Sequence, residues 1–232
     1  MSETSAETVG LVPAAGLGIR LGGALPKAFV SLAGRPLLSW AIDGLRESGA
    51  VGKIVVICGA DLLTRAREIA GPHVTVVAGG AERSDSVRAG LAAAGTPRFV
   101  LVHDAARCLT PPSLIRSVAA AVWNGAPAVV PALPVVDTIK TVDDHGVVTG
   151  TPDRSALRAI QTPQGFDFRL LADAHRESVD EARAVTDDAM LMERAGVPVA
   201  TVQGDPYAFK ITTPLDLALA EAIVASRGAN VR

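Results

Sequence analysis

Three stretches, Lys53–Cys58, Phe99–His103 and Ala128–Val130, are apolar without alternation. A strand with one wet face alternates apolar and polar residues. An unbroken apolar run asks for cover on both faces. Segments of helical period lie between these runs. Pro36–Ser48 places Leu37, Leu38, Ala41, Ile42 and Leu45 on one face, and Glu82–Ala94 is a second such segment. Thr110-Pro111 ahead of Ser113–Trp123 reads as an N-cap followed by proline at the first helical position. Thr213-Pro214 repeats that start before Leu215–Ala225. Strand and helix in alternation predict an α/β fold with a doubly wound, mostly parallel sheet. The 232 residues, 49% of them hydrophobic, are read as one domain over 1–232.

Ligands of such sheets sit outside the carboxyl ends of the strands, and the first apolar run, Val9–Pro13, ends in a telling loop. Pro13-Ala14-Ala15-Gly16-Leu17-Gly18-Ile19-Arg20 is rich in small residues, and Pro26-Lys27 follows. Small residues let backbone N–H groups approach an anion closely, and Arg20 and Lys27 add fixed positive charge. The combination suits a polyphosphate. No G-K-[ST] closes the loop, so it is not a Walker loop, and Leu21 breaks a G-x-G-x-x-G pattern. The residues alone equally allow a plain strand-to-loop turn carrying two surface cations.

Two further strand ends carry polar groups. Gly79-Gly80-Ala81-Glu82-Arg83-Ser84-Asp85-Ser86 opens a helix after Val74–Val77. Its donors suit a base edge or an anion, while Ser84 or Asp85 could serve as an ordinary helix cap. Val102-His103-Asp104-Ala105-Ala106-Arg107 offers one carboxylate, which suits Mg²⁺ held chiefly by substrate phosphates. It offers also an arginine able to bind phosphate in bidentate fashion. An Asp104–Arg107 ion pair is the alternative.

The second half adds Asp137-Thr138-Ile139-Lys140, Asp153-Arg154, Gln161-Thr162-Pro163-Gln164, Thr186-Asp187-Asp188-Ala189 and Phe209-Lys210-Ile211-Thr212-Thr213-Pro214. Lysine is rare here, at Lys27, Lys53, Lys140 and Lys210 only, and all but Lys53 fall inside these motifs. Residues 133–157 mix polar and β-branched types around a turn at Asp143-Asp144-His145-Gly146 and carry no helical stripe. That is a hairpin signal, and a lone two-stranded ribbon is marginal. The segment is expected to project as an arm and pack on a second copy of the chain.

Composition excludes several classes. A net charge of −2 gives no field for nucleic acid or an anionic membrane, and 3% aromatic content gives no base-stacking platform. No run reaches the length of a membrane span, and no signal peptide is read before the first strand. Cys58 and Cys108 show no C-x-x-C spacing and read as reduced thiols of a cytoplasmic protein. The four histidines show no ligand spacing, and no Ser-His-Asp order stands out. The chemistry left is charge stabilisation and positioning, which phosphoryl and nucleotidyl transfer require.

These blocks, in this order from Val9 to Ser226, resemble the 2-C-methyl-D-erythritol 4-phosphate cytidylyltransferases of the non-mevalonate isoprenoid pathway. The resemblance implies a Rossmann-like nucleotidyltransferase fold. It implies a reaction of CTP with the sugar-alcohol phosphate that releases diphosphate, with Mg²⁺, and homodimers clasped by their arms. It places Pro13, Ala14, Ala15, Gly16 and Gly18 at the CTP phosphates, with Arg20 and Lys27 stabilising charge during transfer. Gly80, Ala81, Arg83 and Ser86 fall around the cytosine, Asp104 beside Mg²⁺ and Ala105 beside the ribose. Arg107, Thr138, Arg154, Thr162, Thr186 and Lys210 fall around the methylerythritol phosphate, some of them from the neighbouring subunit. Arg154 and Lys210 also join the catalytic set. Cys108 replaces a common proline, and Ala208 replaces an asparagine in E-N-I-K. No fused cyclodiphosphate synthase domain is expected after the last helix. A ribitol phosphate cytidylyltransferase of the same architecture is the nearest rival. A non-catalytic nucleotide-binding module would not require both Arg20 and Lys27, and a dehydrogenase fails on the glycine pattern.

Overall fold

The computed structural model describes residues 3–16, 26–177 and 186–229. In chain order the first half runs α1 (Glu3–Ala6), β1 (Thr8–Pro13), β2 (Ser31–Leu32), β3 (Arg35–Pro36), α2 (Leu37–Ser48) and β4 (Lys53–Cys58). It continues through α3 (Leu63–Ala70), β5 (Thr75–Ala78), α4 (Arg83–Ala94), β6 (Phe99–Val102) and α5 (Pro112–Trp123). The second half runs β7 (Ala128–Pro134), β8 (Thr141–Val142), β9 (Val148–Gly150), β10 (Arg158–Ile160), β11 (Gln164–Asp167), α6 (Phe168–Glu177), α7 (Asp188–Arg194), β12 (Val199–Gln203) and α8 (Pro214–Ala229).

The main sheet follows the order β10-β7-β11-β6-β1-β4-β5, with β12 also on β7. β5, β4, β1 and β6 are mutually parallel, and β12 is parallel to β7. β10 and β11 run against their neighbours. This is the mostly parallel, doubly wound α/β sheet that the apolar runs predict. β1 lies between β4 and β6, where the winding reverses direction.

The apolar runs are continuous because alternate residues enter two cores. Val12, Val56 and Leu101 pack on one face with Leu38, Ile42, Ile115 and Val118 of α2 and α5. Leu11, Val55, Ile57, Val100 and Val102 pack on the other with Val87, Leu91, Leu171 and Met192 of α4, α6 and α7. Each such buried side chain contributes about 1.5–3 kcal/mol relative to exposure. A third cluster, with Leu37, Leu109, Ile211 and Ala220, seats α8 against the first half of the chain. Gly49, at φ 63°, ends α2 in the left-handed conformation.

Two local expectations are corrected. The N-cap of α5 is Pro111 and the first helical residue is Pro112, one position later than the Thr110-Pro111 reading. The Thr110 hydroxyl instead donates to the Arg107 carbonyl. β7 extends through Pro134, so Leu133 and Pro134 pair with β10 and stay in the sheet. The arm proper begins after them. Its ladder is only β8 on β9, around the expected turn, where Asp143 Oδ1 accepts the amides of His145 and Val147.

Gly165 of β11 shows how closely α5 sits on the sheet. A Cβ there would lie 2.8 Å from both Val118 Cγ1 and Val122 Cγ2. Gly165→Ala is expected to destabilise the fold by about 1–3 kcal/mol through overpacking, read as a lowered urea midpoint at unchanged slope.

Candidate active site

Three strand ends meet at one edge, and each is fixed by one further backbone bond. Ala14 N–H donates to Ile57 O at 2.6 Å, Gly79 N–H to Cys58 O at 2.8 Å, and His103 N–H to Leu11 O at 2.8 Å. The turn after β1 closes at its base, where Lys27 N–H donates to Gly16 O at 3.2 Å. Buried Ala28 and Phe29 anchor the single 3-10 turn that carries Lys27. Gly18 and Arg20 lie outside the described residues.

The second end needs its glycines. A Cβ on Gly79 would sit 2.5 Å from Ser86 Oγ, and one on Gly80 would collide with Asp85. The cap of α4 is a box of Glu82 and Asp85, with Glu82 N–H donating to Asp85 Oδ2 at 3.0 Å. Capping and ligand approach thus share this turn. The capping box leaves Arg83 and Ser86 for the cavity wall.

At the third end, Asp104 pairs with Lys210, Oδ2 to Nζ at 2.7 Å. The ion pair with Arg107 does not form. Burial pushes the Asp104 carboxyl up, but Lys210, Arg83 and Arg107 together outweigh it and hold the pKa down to about 2. Lys210 is placed by its neighbours: Ala208 O accepts from Arg107 Nη1 at 2.7 Å, and Ile211 N–H donates to Ala106 O at 2.9 Å. Just beyond, Asp216 Oδ2 accepts the amides of Thr212 and Thr213. Behind Asp104, Thr162 Oγ1 accepts its N–H at 3.0 Å and lies 3.1 Å from His103 Nδ1. Burial lowers the His103 pKa to about 4, so the ring is neutral at pH 7 and cannot reach solvent as a base.

These ends enclose a cavity of about 500 Å³. Pro13, Ala14, Ala15, Gly16, Lys27, Gly80, Ala81, Arg83, Ser86, Asp104, Ala105 and Lys210 all line it, joined by Ala28, Glu82 and Ala106. The remaining sequence-expected residues stand elsewhere. Thr162 is buried behind Asp104. Arg107 donates to two backbone carbonyls, Ala208 O from Nη1 and Ile160 O from Nη2. Thr186 is exposed, just before Asp187, the N-cap of α7. Thr138 and Arg154 lie exposed on the arm, where Arg154 Nη1 donates to Val136 O at 3.0 Å.

Sequence reasoning missed Asp188. This wholly buried carboxylate bonds Arg83 at 2.6 Å and His175 Nε2 at 2.9 Å. Its signal was present in Thr186-Asp187-Asp188-Ala189, but one cap and one ion-pair partner look alike there. Gln164 was likewise quoted without a role. Its amide donates to Asp187 Oδ2 at 2.8 Å and accepts from Ala189 N–H at 3.2 Å, so it pins α7 to β11.

A parallel sheet with small-residue turns, paired cations and one ionised carboxylate at a common edge defines a nucleotidyltransferase-like α/β protein. The sequence profile of 2-C-methyl-D-erythritol 4-phosphate cytidylyltransferase matches residues 8–226, and the chain belongs to that family. The chain is similar to the 2-C-methyl-D-erythritol 4-phosphate cytidylyltransferase of Rhodococcus opacus, at 58% identity over 97% of this chain and 98% of that one. The protein of the same name from Nocardia farcinica is 56% identical over 98% of both. Among solved structures, the Thermus thermophilus 2-C-methyl-D-erythritol 4-phosphate cytidylyltransferase superposes with a TM-score of 0.78 at 37% identity, covering 94% of this chain and 98% of that one. The 4-diphosphocytidyl-2C-methyl-D-erythritol synthase of Anaerococcus prevotii reaches 0.81 at 28% identity, with the same coverage.

The Asp104 carboxyl has a depressed pKa, so it stays charged as pH falls until about 2. Removing the Lys210 charge leaves burial less opposed. Lys210→Met is therefore expected to move the Asp104 titration upward, visible in the ¹³C shift of its carboxyl carbon. An unmoved titration would show that the ion pair does not set the charge of Asp104.

Proposed function

We propose that the chain transfers the cytidylyl group of CTP to 2-C-methyl-D-erythritol 4-phosphate, giving 4-diphosphocytidyl-2-C-methyl-D-erythritol and diphosphate for isoprenoid precursor synthesis. The observation that carries this reading is one cavity lined together by the turn after β1, the start of α4 and the Asp104–Lys210 pair. A phosphate oxygen of the acceptor attacks the α-phosphorus of CTP. The new P–O bond forms as the bond to the β-phosphate bridging oxygen breaks, and the electron pair leaves with diphosphate. The nucleophile is already anionic, so no general base is needed. Lys27, Lys210 and Arg20 serve as fixed cations at the phosphates.

Mg²⁺ fits this donor set. Asp104 is ionised, and Lys210 bonds its Oδ2. Among the described residues no group of three or more His, Cys, Asp or Glu could hold a metal. One carboxylate with substrate phosphates and water is the usual Mg²⁺ environment. Asp104 would hold the ion, which when bound neutralises phosphate charge.

The working unit is a homodimer in which the arm brings Thr138 and Arg154 to the partner's cavity. The arm exposes Val136, Val142, Val147 and Val148, each more than half accessible in the single chain. A second copy would cover them. A cytoplasmic location accords with the helices, none of which is long and apolar enough to cross a membrane among the described residues. The net charge of −2 speaks against nucleic acid as partner.

Diphosphate release measured across the four nucleoside triphosphates, with methylerythritol phosphate and with ribitol phosphate, tests the assignment. Release is expected with CTP and methylerythritol phosphate, and silence from that pair would refute it. Lys27→Ala and Arg20→Ala are each expected to lower kcat by about 10²–10³, with the fold retained.

Mixing inactive Lys27→Ala and Arg154→Ala chains should restore turnover. In a mixed dimer one site collects both lesions and the other neither. A dead mixture with subunit exchange demonstrated would exclude the shared site.

A further inference from the structure

We infer that Asp188 is a positioning residue of the cleft: backed by His175, its carboxylate fixes the Arg83 guanidinium at the cavity wall and keeps that cation from settling on Asp104. The inference rests on the reading of the cavity as the CTP site. Neither Asp188 nor His175 lines the cavity, so each acts on it only through Arg83.

Both carboxylate oxygens of Asp188 are engaged. Oδ2 accepts from Arg83 Nη2 at 2.6 Å, and Oδ1 lies 2.9 Å from His175 Nε2. A carboxylate held at both oxygens cannot swing. Its backbone is equally fixed, because Asp187 Oδ1 caps α7 through Met190 N–H and Gln164 ties that cap to β11. A rigid line therefore runs from the sheet through Asp188 to Arg83.

Arg83 needs such a hold because it lines the same cavity as a second carboxylate, Asp104. Its charge is felt by Asp104 as well as by Asp188. Asp104 sits at the same cavity and already has Lys210. An Arg83 released from Asp188 would turn to Asp104 and displace or compete with the groups that Asp104 serves. A buried ion pair is in general no better for stability than apolar packing of the same volume. What this one supplies is the location of a positive charge, with the planar guanidinium held through its Nη2.

The test is CTP binding to the full chain by titration calorimetry, with a double-mutant cycle. Asp188→Asn keeps the shape and removes the charge. It is expected to weaken CTP binding about 10-fold, and the double variant Arg83→Gln/Asp188→Asn should bind no more weakly than Arg83→Gln alone. In steady state Asp188→Asn should raise KM for CTP and leave KM for the acceptor phosphate unmoved. Wild-type affinity in Asp188→Asn, additive losses in the cycle, or equal rises in both KM values would each overturn the inference. Should Asp188→Asn not fold, Arg83→Lys decides: it keeps the charge without the planar guanidinium that Asp188 holds, and an unchanged CTP affinity would overturn the proposal. A wild-type chain that binds no CTP would remove the reading of the cavity instead.

Discussion

Parallel strands that end at one edge govern everything else in this molecule. β5, β4, β1 and β6 all point the same way. The segments that follow β5, β1 and β6 therefore open side by side. The ladder does not stop at the last strand residue, since Ala14, Gly79 and His103 each add one more backbone bond to a neighbouring strand. The residues just beyond inherit the rigidity of a core whose side chains are buried on both faces. Polar groups gathered there leave that core intact and still stand on a fixed frame.

On this frame charge is distributed by pairing a partly buried carboxylate and a wholly buried one with separate cations. Asp104 has Lys210 and Asp188 has Arg83. Burial pushes both carboxyls toward the neutral form, and the neighbouring cations reverse that, so both are held below the ordinary range. By linkage, what these groups add to stability is present above the unfolded carboxylate pKa and is lost as pH falls through the folded value. Arg83 and Lys210, each held by its own carboxylate, stand at one cleft and form an environment prepared for a highly charged ligand.

The strands β1, β4, β5, β6 and β7 were legible from their apolar runs, and β1 and β5 also from the small-residue turns at their carboxyl ends, whereas β11 and β12 were not read as strands. The cavity lining was legible for the same reason: it follows those turns directly. Long-range pairing was not. Arg83 and Asp188 are 105 positions apart, and nothing local distinguishes Asp188 from Asp187. The two carbonyls that receive Arg107 were equally hidden, because a sequence shows the guanidinium and not its partners. The contacts of the Thr162 hydroxyl with the Asp104 amide and His103 were hidden in the same way. The arm boundary slipped because Leu133 and Pro134 read as the start of an exposed ribbon, while their pairing with β10 keeps them in the sheet.

The arm sets the final constraint. β8 and β9 contribute two and three residues to their ladder, and the rest is held by the Asp143 turn and by single bonds such as Lys140 Nζ to Thr151 Oγ1. A hairpin of that size with its valines in water has little to keep it in one place. The fold tolerates it because Leu133 and Pro134, the last residues of β7, pair with β10 and so clamp its base. Such an element gains its order from what it touches. On the proposed pairing, the surface that buries those valines is also the one that receives Thr138 and Arg154. Assembly and completion of the acceptor site then become a single event, and a lone chain holds the nucleotide cleft without the cation that the arm delivers.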